Sequence, residues 1–295
     1  MLEHLNTAPA KPSRVVVIGA GGFVGGTIVK RLESCGVKVL ALTRKELDLL
    51  ADDASAKLQA MLRPHDSVVM VSAIAPVKTL PMLMQNLRMA EAVCGALAPS
   101  LIQHLVYISS DAVYTDDANP VTEQSYCAPS TLHGMMHSAR ELMMKNATGA
   151  PVAMLRPTLI YGAADPHNGY GPNRFRRHAQ RGEPIPLFGE GEEQRDHVSV
   201  DDVAELARLM LFHRSRGALN AATGVATSFK DVATIVASQF GDHVRVQETP
   251  RTVPRPHLVH RFFDITGCHR AFPQFHFVPL EKGLAQAKRL SEEKS

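Results

Sequence analysis

The chain has 295 residues, 45% hydrophobic and 21% charged, which is ordinary for a globular protein. A net charge of +3 gives no support to a nucleic-acid binder or a binder of acidic membranes. Cys35, Cys94, Cys127 and Cys268 show no CxxC spacing, which argues against a zinc site or redox pair and for free thiols in a reducing compartment.

Residues 1–12 read as a flexible leader, with Pro9 and Pro12 as breakers. They lack an apolar run, so no signal peptide is expected. No segment approaches the roughly 18 apolar residues of a membrane span. The expectation is therefore a cytoplasmic protein. From Arg14 onward, apolar runs alternate with helical patterns. RVVVIG is a strand buried on both faces, and FVGGTIVKRLESCG is a helix stopped by Gly36. VKVLALT, DSVVMVSA, HLVYISS and PVAMLRPT read as further strands. ADDASAKLQAMLRP, Thr79–Ala98 and Ser130–Lys145 read as the helices between them. This alternation predicts an α/β fold, a doubly wound parallel sheet of Rossmann type over residues 13–162. Past 162, Gly- and Pro-rich loops interrupt shorter elements. Residues 163–295 are expected to form a smaller substrate-binding lobe, with helices near Val200–His213 and Ser228–Phe240. Whether the chain re-enters the main sheet is left open.

VVVIGAGGFVGG places Gly19, Gly22 and Gly25 between the first strand and the first helix. A dinucleotide site needs glycine there for three reasons. The turn is sharp, the backbone must approach a pyrophosphate, and the helix must pack closely on the strand. The helix N-terminus then offers free N–H groups to the phosphates. The second strand ends in Thr43, Arg44 and Lys45, with no carboxylate before Glu46. Two cations suit a 2′-phosphate, so NADP is favoured over NAD; the alternative is a solvated turn.

On these motifs the chain, over residues 14–285, resembles the extended short-chain dehydrogenase/reductases, the NAD-dependent epimerase/dehydratase family. Residues 39–50 are most similar to its reductases. The resemblance implies cofactor contacts at Gly19, Gly22, Phe23, Gly25, Arg44, Asp48, Leu49, Ala73 and Pro157, with Asp48-Leu49 along the adenine. YISSDAVY matches the catalytic-Ser strand through Ser110. Asn86 matches a structural Asn, and LRPTLIYG the strand leading to the nicotinamide. FGEGEEQRDHVSVDDVA matches a nucleotide-sugar segment. Asn173, Arg195 and Arg261 are the implied substrate ligands, the two arginines at a diphosphate. The implied substrate is a small nucleotide-linked carbonyl compound.

The family's YxxxK pair is absent. The residues four beyond the five tyrosines are Asp111, Ala118, Ser130, Asp165 and Arg174. HGMMHSARE stands where the family reads YGxxKxxxE, so His133 replaces Tyr and His137 replaces Lys. In one reading His133 is the general acid/base with Ser110, and His137 touches the ribose. In a second, the fold binds a dinucleotide as a silent sensor or scaffold. In a third, the i, i+4 histidines bind a metal, although HGMMH lacks the Glu of HExxH and no third ligand follows. A structural role for both is the fourth.

Asn173–Arg181 is a basic stretch at helical spacing, suited to steering an anion or to a solvated face. Asp201 and Asp202 are expected to cap a helix. Met82, Met84, Met135, Met136, Met143 and Met144 suit either core packing or a homodimer face.

Overall fold

A computed structural model describes residues 2–251 and 259–293; Met1, 252–258 and 294–295 lie outside the described residues. In chain order the elements are β1 (Glu3–His4), β2 (Val15–Ile18), α1 (Phe23–Ser34), β3 (Val39–Leu42), α2 (Ala54–Met61), β4 (Ser67–Met70), α3 (Leu80–Leu97) and β5 (His104–Ile108). A short helical turn, Asp111–Val113, precedes α4 (Leu132–Asn146), β6 (Val152–Pro157), β7 (Leu159–Tyr161), α5 (Pro172–Gln180), β8 (Ile185–Phe188), β9 (Gln194–Ser199) and α6 (Val200–Phe212). Then follow β10 (Ser215–Ala221), β11 (Ala226–Ser228), α7 (Phe229–Ser238), β12 (Val246–Thr249), α8 (Thr266–Ala271) and α9 (Leu280–Glu292).

Seven strands form the main sheet in the order β1-β10-β6-β5-β4-β2-β3. All neighbours are parallel except β1, which runs antiparallel to β10. Alternate residues of one strand feed opposite cores. Val15 and Val17 pack with Ile28, Leu32, Val203 and Met210 from α1 and α6. Val16 and Ile18 pack with Leu58, Ala90, Val93 and Met144 from α2, α3 and α4. A strand covered on both sides has no polar face, which is why these runs are wholly apolar. Tyr107 of β5 belongs to the second core, beneath α4.

Two expectations are revised. Residues 2–12 are not a loose leader. Glu3 and His4 pair with Arg216 and Ser215, and the amides of Leu5, Asn6 and Ala10 donate to carbonyls of His213 and Phe212. These backbone bonds tie the segment down, whatever its composition. Residues 163–295 re-enter the main sheet, a point the sequence leaves open. α6 lies against α1, and β10 joins the main sheet beside β6. The remaining elements build a smaller core around Tyr161, Phe175, Leu187, Phe229 and Val232. The cap of α6 is Ser199, whose Oγ accepts from Asp201 N at 3.2 Å; Asp201 and Asp202 occupy the first turn instead.

Candidate functional site

The glycine turn has the geometry its spacing implies. Gly19 has φ +98°, and a Cβ there would lie 2.7 Å from Ser72 N. A Cβ on Gly25 would lie 2.1 Å from Gly19 O, so only glycine lets α1 close on the turn. α3, α4, α6 and α7 are each capped by a Thr or Ser side chain. α1 starts at Gly22–Phe23 with no side-chain cap, leaving its first amides for an anion. The turn thus fits the pyrophosphate of a dinucleotide. Ala73, after β4, is exposed, and Pro157 is the buried last residue of β6.

Thr43 borders this turn, 3.3 Å from where a Gly21 Cβ would stand. Glu46 folds back to accept from Thr43 N at 2.9 Å, and those Thr43 bonds hold its carboxyl below the usual range. Arg44 pairs with Asp48 at 3.3 Å, in the open. Leu49 packs into the core with Leu42 and Leu58, leaving Asp48 as the outward member of that pair.

The histidine helix is brought to the Ser110 turn by another glycine. A Cβ on Gly134 would lie 2.0 Å from Ala112 O, so α4 can rest directly on the turn after β5. Thr131 caps α4 at Gly134 N. Ser110 Oγ accepts from Ala112 N at 3.1 Å and donates to Asp111 Oδ1 at 3.3 Å. His133 is partly buried, and its Nδ1 accepts a long 3.4 Å bond from Val77 N. The His133 and His137 rings meet edge-on with centroids 4.8 Å apart. Burial lowers the His133 pKa, and His167, on the loop after β7, adds to this. His137 is lowered further, by burial, then by His133 and Arg140. Its Nδ1 lies 2.7 Å from the Tyr107 hydroxyl. Burial pushes Tyr107 up to about 12, so the phenol keeps its proton, and the His137 tautomer decides which partner donates.

Below the histidines lies a buried ionic network. Arg156 donates to both oxygens of Glu141, at 2.8 and 2.6 Å, and to the Tyr114 hydroxyl at 2.8 Å. Tyr114 donates in turn to Asn220, and Ser109 bonds Glu141. The network joins β5, α4, β6 and β10 under the site.

The three implied substrate ligands are engaged by the protein itself. Asn173 Nδ2 donates to Asp165 at 2.8 Å, and its Oδ1 accepts from Gly162 N. Arg195 donates to the carbonyls of Gln194 and Val259. Arg261 donates to Asp111 O at 2.9 Å and pairs with Asp111 and Asp116. Burial lowers the Arg195 pKa, while Glu193 and Asp111 oppose this. Among the described residues, no group of three or more His, Cys, Asp or Glu could hold a metal ion. Sequence reasoning missed Tyr107, Arg140 and His167. The signals were a lone tyrosine in an aliphatic strand and an arginine seven residues beyond His133, on the same helix face.

A sequence model described as the NAD dependent epimerase/dehydratase family matches residues 15–222, the greater part of the chain. The chain belongs to that family. Solved structures share the family fold over nearly the whole length. MoeE5 in complex with UDP-glucose and NAD is 24% identical, with TM-score 0.83, over 95% of this chain and 99% of that one. The UDP-glucose 4-epimerase of Thermus thermophilus, in complex with NAD, is 23% identical, with TM-score 0.79, over 96% and 100%. A GDP-L-fucose synthetase from Naegleria fowleri is 16% identical, with TM-score 0.84, over 99% and 98%. This family membership supports a nicotinamide cofactor.

Proposed function

We propose that this epimerase/dehydratase family member transfers hydride between a nicotinamide dinucleotide and a carbonyl carbon of a nucleotide-linked sugar or related compound, with His133 in place of the usual Tyr. The observation that supports this reading is the close approach of α4 to the turn after Ser110 at Gly134, the residue next to His133. The sugar-nucleotide class rests on the ligands that similar structures hold.

Gly19, Gly22, Phe23 and Gly25 would hold the dinucleotide, whose nicotinamide supplies or accepts the hydride. With Nδ1 facing the Val77 N–H, His133 carries its hydrogen on Nε2. A neutral imidazole of this tautomer donates to a carbonyl oxygen as negative charge develops there. Ser110 adds a second donor when its hydroxyl turns from Asp111. His137, with Nδ1 occupied by Tyr107, offers Nε2–H to the ribose. Arg44 and Lys45 favour NADP(H), because an exposed pair such as Arg44–Asp48 is weak and yields readily to a 2′-phosphate. Arg195, Arg261 and Asn173 are the proposed ligands of the substrate diphosphate. A homodimer through α3 and α4 is proposed from the exposed Leu80, Met84, Met135 and Leu142. Four unpaired cysteines support a cytoplasmic setting, and no helix among the described residues could cross a membrane.

A panel of nucleotide sugars, with nicotinamide absorbance as readout, tests the proposal. His133→Ala should lower turnover about a hundredfold or more. Unchanged turnover would remove His133 from the reaction. One observation favours a second reading, a silent dinucleotide sensor: Arg261 is already matched by Asp111 and Asp116. Turnover of any carbonyl compound would end that reading.

A further inference from the structure

Arg140 is fully buried, 0% exposed, on the same face of α4 as His133 and His137. Its partners among the described residues are neutral. One terminal nitrogen donates to Ser72 O at 2.7 Å. The other lies 3.4 Å from Asn86 Oδ1 and 3.7 Å from Met136 Sδ, and Nε has no partner. The guanidinium also stands 5.3 Å over the Tyr107 ring. Asn86 in turn holds Ile74 through both its backbone groups, at 3.0 Å each. Arg140 and Asn86 therefore grip the Ser72–Ile74 segment, whose Ser72 abuts Gly19.

We infer that Arg140 is a positioning residue that supplies the fixed positive charge absent from position 137 and ties the histidine face of α4 to the Ser72–Ile74 wall of the dinucleotide crevice. The inference deepens the proposed function and rests on it; the histidine arm of its test stands apart from that reading. A buried cation without a carboxylate is costly, so its retention needs a local reason. Two consequences follow. A permanent cation beside His137 resists a second charge there and, with burial, keeps that ring neutral. The guanidinium fork spans two acceptors on one rigid plane, which an ammonium does not. The titratable groups around the pair are Tyr107 from β5, Arg140 and Glu141 on α4, and His167 from the loop after β7; Cys94 on α3 faces Arg140. Glu141 is matched by Arg156.

The test uses the full chain without substrate. Imidazole NMR signals are followed against pH in wild type, Arg140→Gln and Arg140→Lys, and NAD(H) and NADP(H) binding is measured by calorimetry. In Arg140→Gln the His137 midpoint should rise by about one pH unit, a tenfold gain in proton affinity, and in Arg140→Lys it should stay at the wild-type value. Arg140→Lys should weaken dinucleotide binding about tenfold, because one point charge cannot serve Ser72 and Asn86 together. An unmoved His137 midpoint in Arg140→Gln overturns the charge role. Wild-type affinity in Arg140→Lys overturns the tie to the crevice, and this arm stands even if Arg140→Gln does not fold. If wild type itself binds no dinucleotide, the proposed function fails, while the His137 midpoint still decides the charge role.

Discussion

The Tyr107 hydroxyl lies 2.7 Å from His137 Nδ1 in the core between β5 and α4. With the hydroxyl as donor, the contact leaves the His137 hydrogen on Nε2. Tyr107→Phe keeps the ring and its packing but leaves Nδ1 buried without a donor. The variant should lose about 1–3 kcal/mol of stability in urea unfolding. The His137 signals should also show a mixture of tautomers by NMR. A single unchanged tautomer would show that Tyr107 does not set it.

Gly25→Ala should abolish dinucleotide binding in calorimetry. The added methyl would meet Gly19 O at 2.1 Å, forcing α1 away from the turn. Overpacking of this kind costs about 1–3 kcal/mol in stability as well. Gly149→Ala is the matched control, since nothing lies within 4 Å of its Cβ position.

Glu141→Gln should be among the most damaging single changes. It leaves Arg156 buried with half its partners, at a site where both side chains are 5% exposed. Breaking such a pair costs about 3–5 kcal/mol. Urea unfolding of the variant at neutral pH measures it, and a loss near zero would mean that Tyr114 suffices as the partner.

Asp202 gives a signed pH effect. Burial, with Asp201 and Glu205 adding to it, pushes its carboxyl up to about 6. The unfolded chain has this group near 4. A raised carboxyl binds its proton more tightly in the folded state, so its contribution is full below about pH 4 and is lost as pH rises through 6. Asp202→Asn should therefore gain about 1–2 kcal/mol over wild type near pH 8, and nothing near pH 4. Val278 N can still donate to the amide oxygen. His104 and His197, both pushed down to about 4 by burial, act in the opposite sense in both proteins. Their stability is full above about pH 6.5 and falls away toward pH 4.

The main sheet was legible because β2, β4 and β5 are short apolar runs separated by helical periods, a pattern that only two-sided burial explains. β10 was harder. SRGALNA has no apolar run, and its place beside β6 depends on partners far along the chain. β1 has two residues and no local signal at all. At the site, the glycine turn declared itself through spacing. Tyr107 did not, because its partner is thirty residues away on another element. Arg140 gave no hint of burial, since arginine is among the residue types least often buried.

Closing the flank of β10 also has a bearing on solubility. The edge of β10 at Ser215 and Arg216, which His4 and Glu3 pair with, would otherwise lie open. Bare strand edges recruit strands from other molecules. Trimming the first ten residues would thus do more than shorten a tail: it would offer neighbouring chains a template for aggregation.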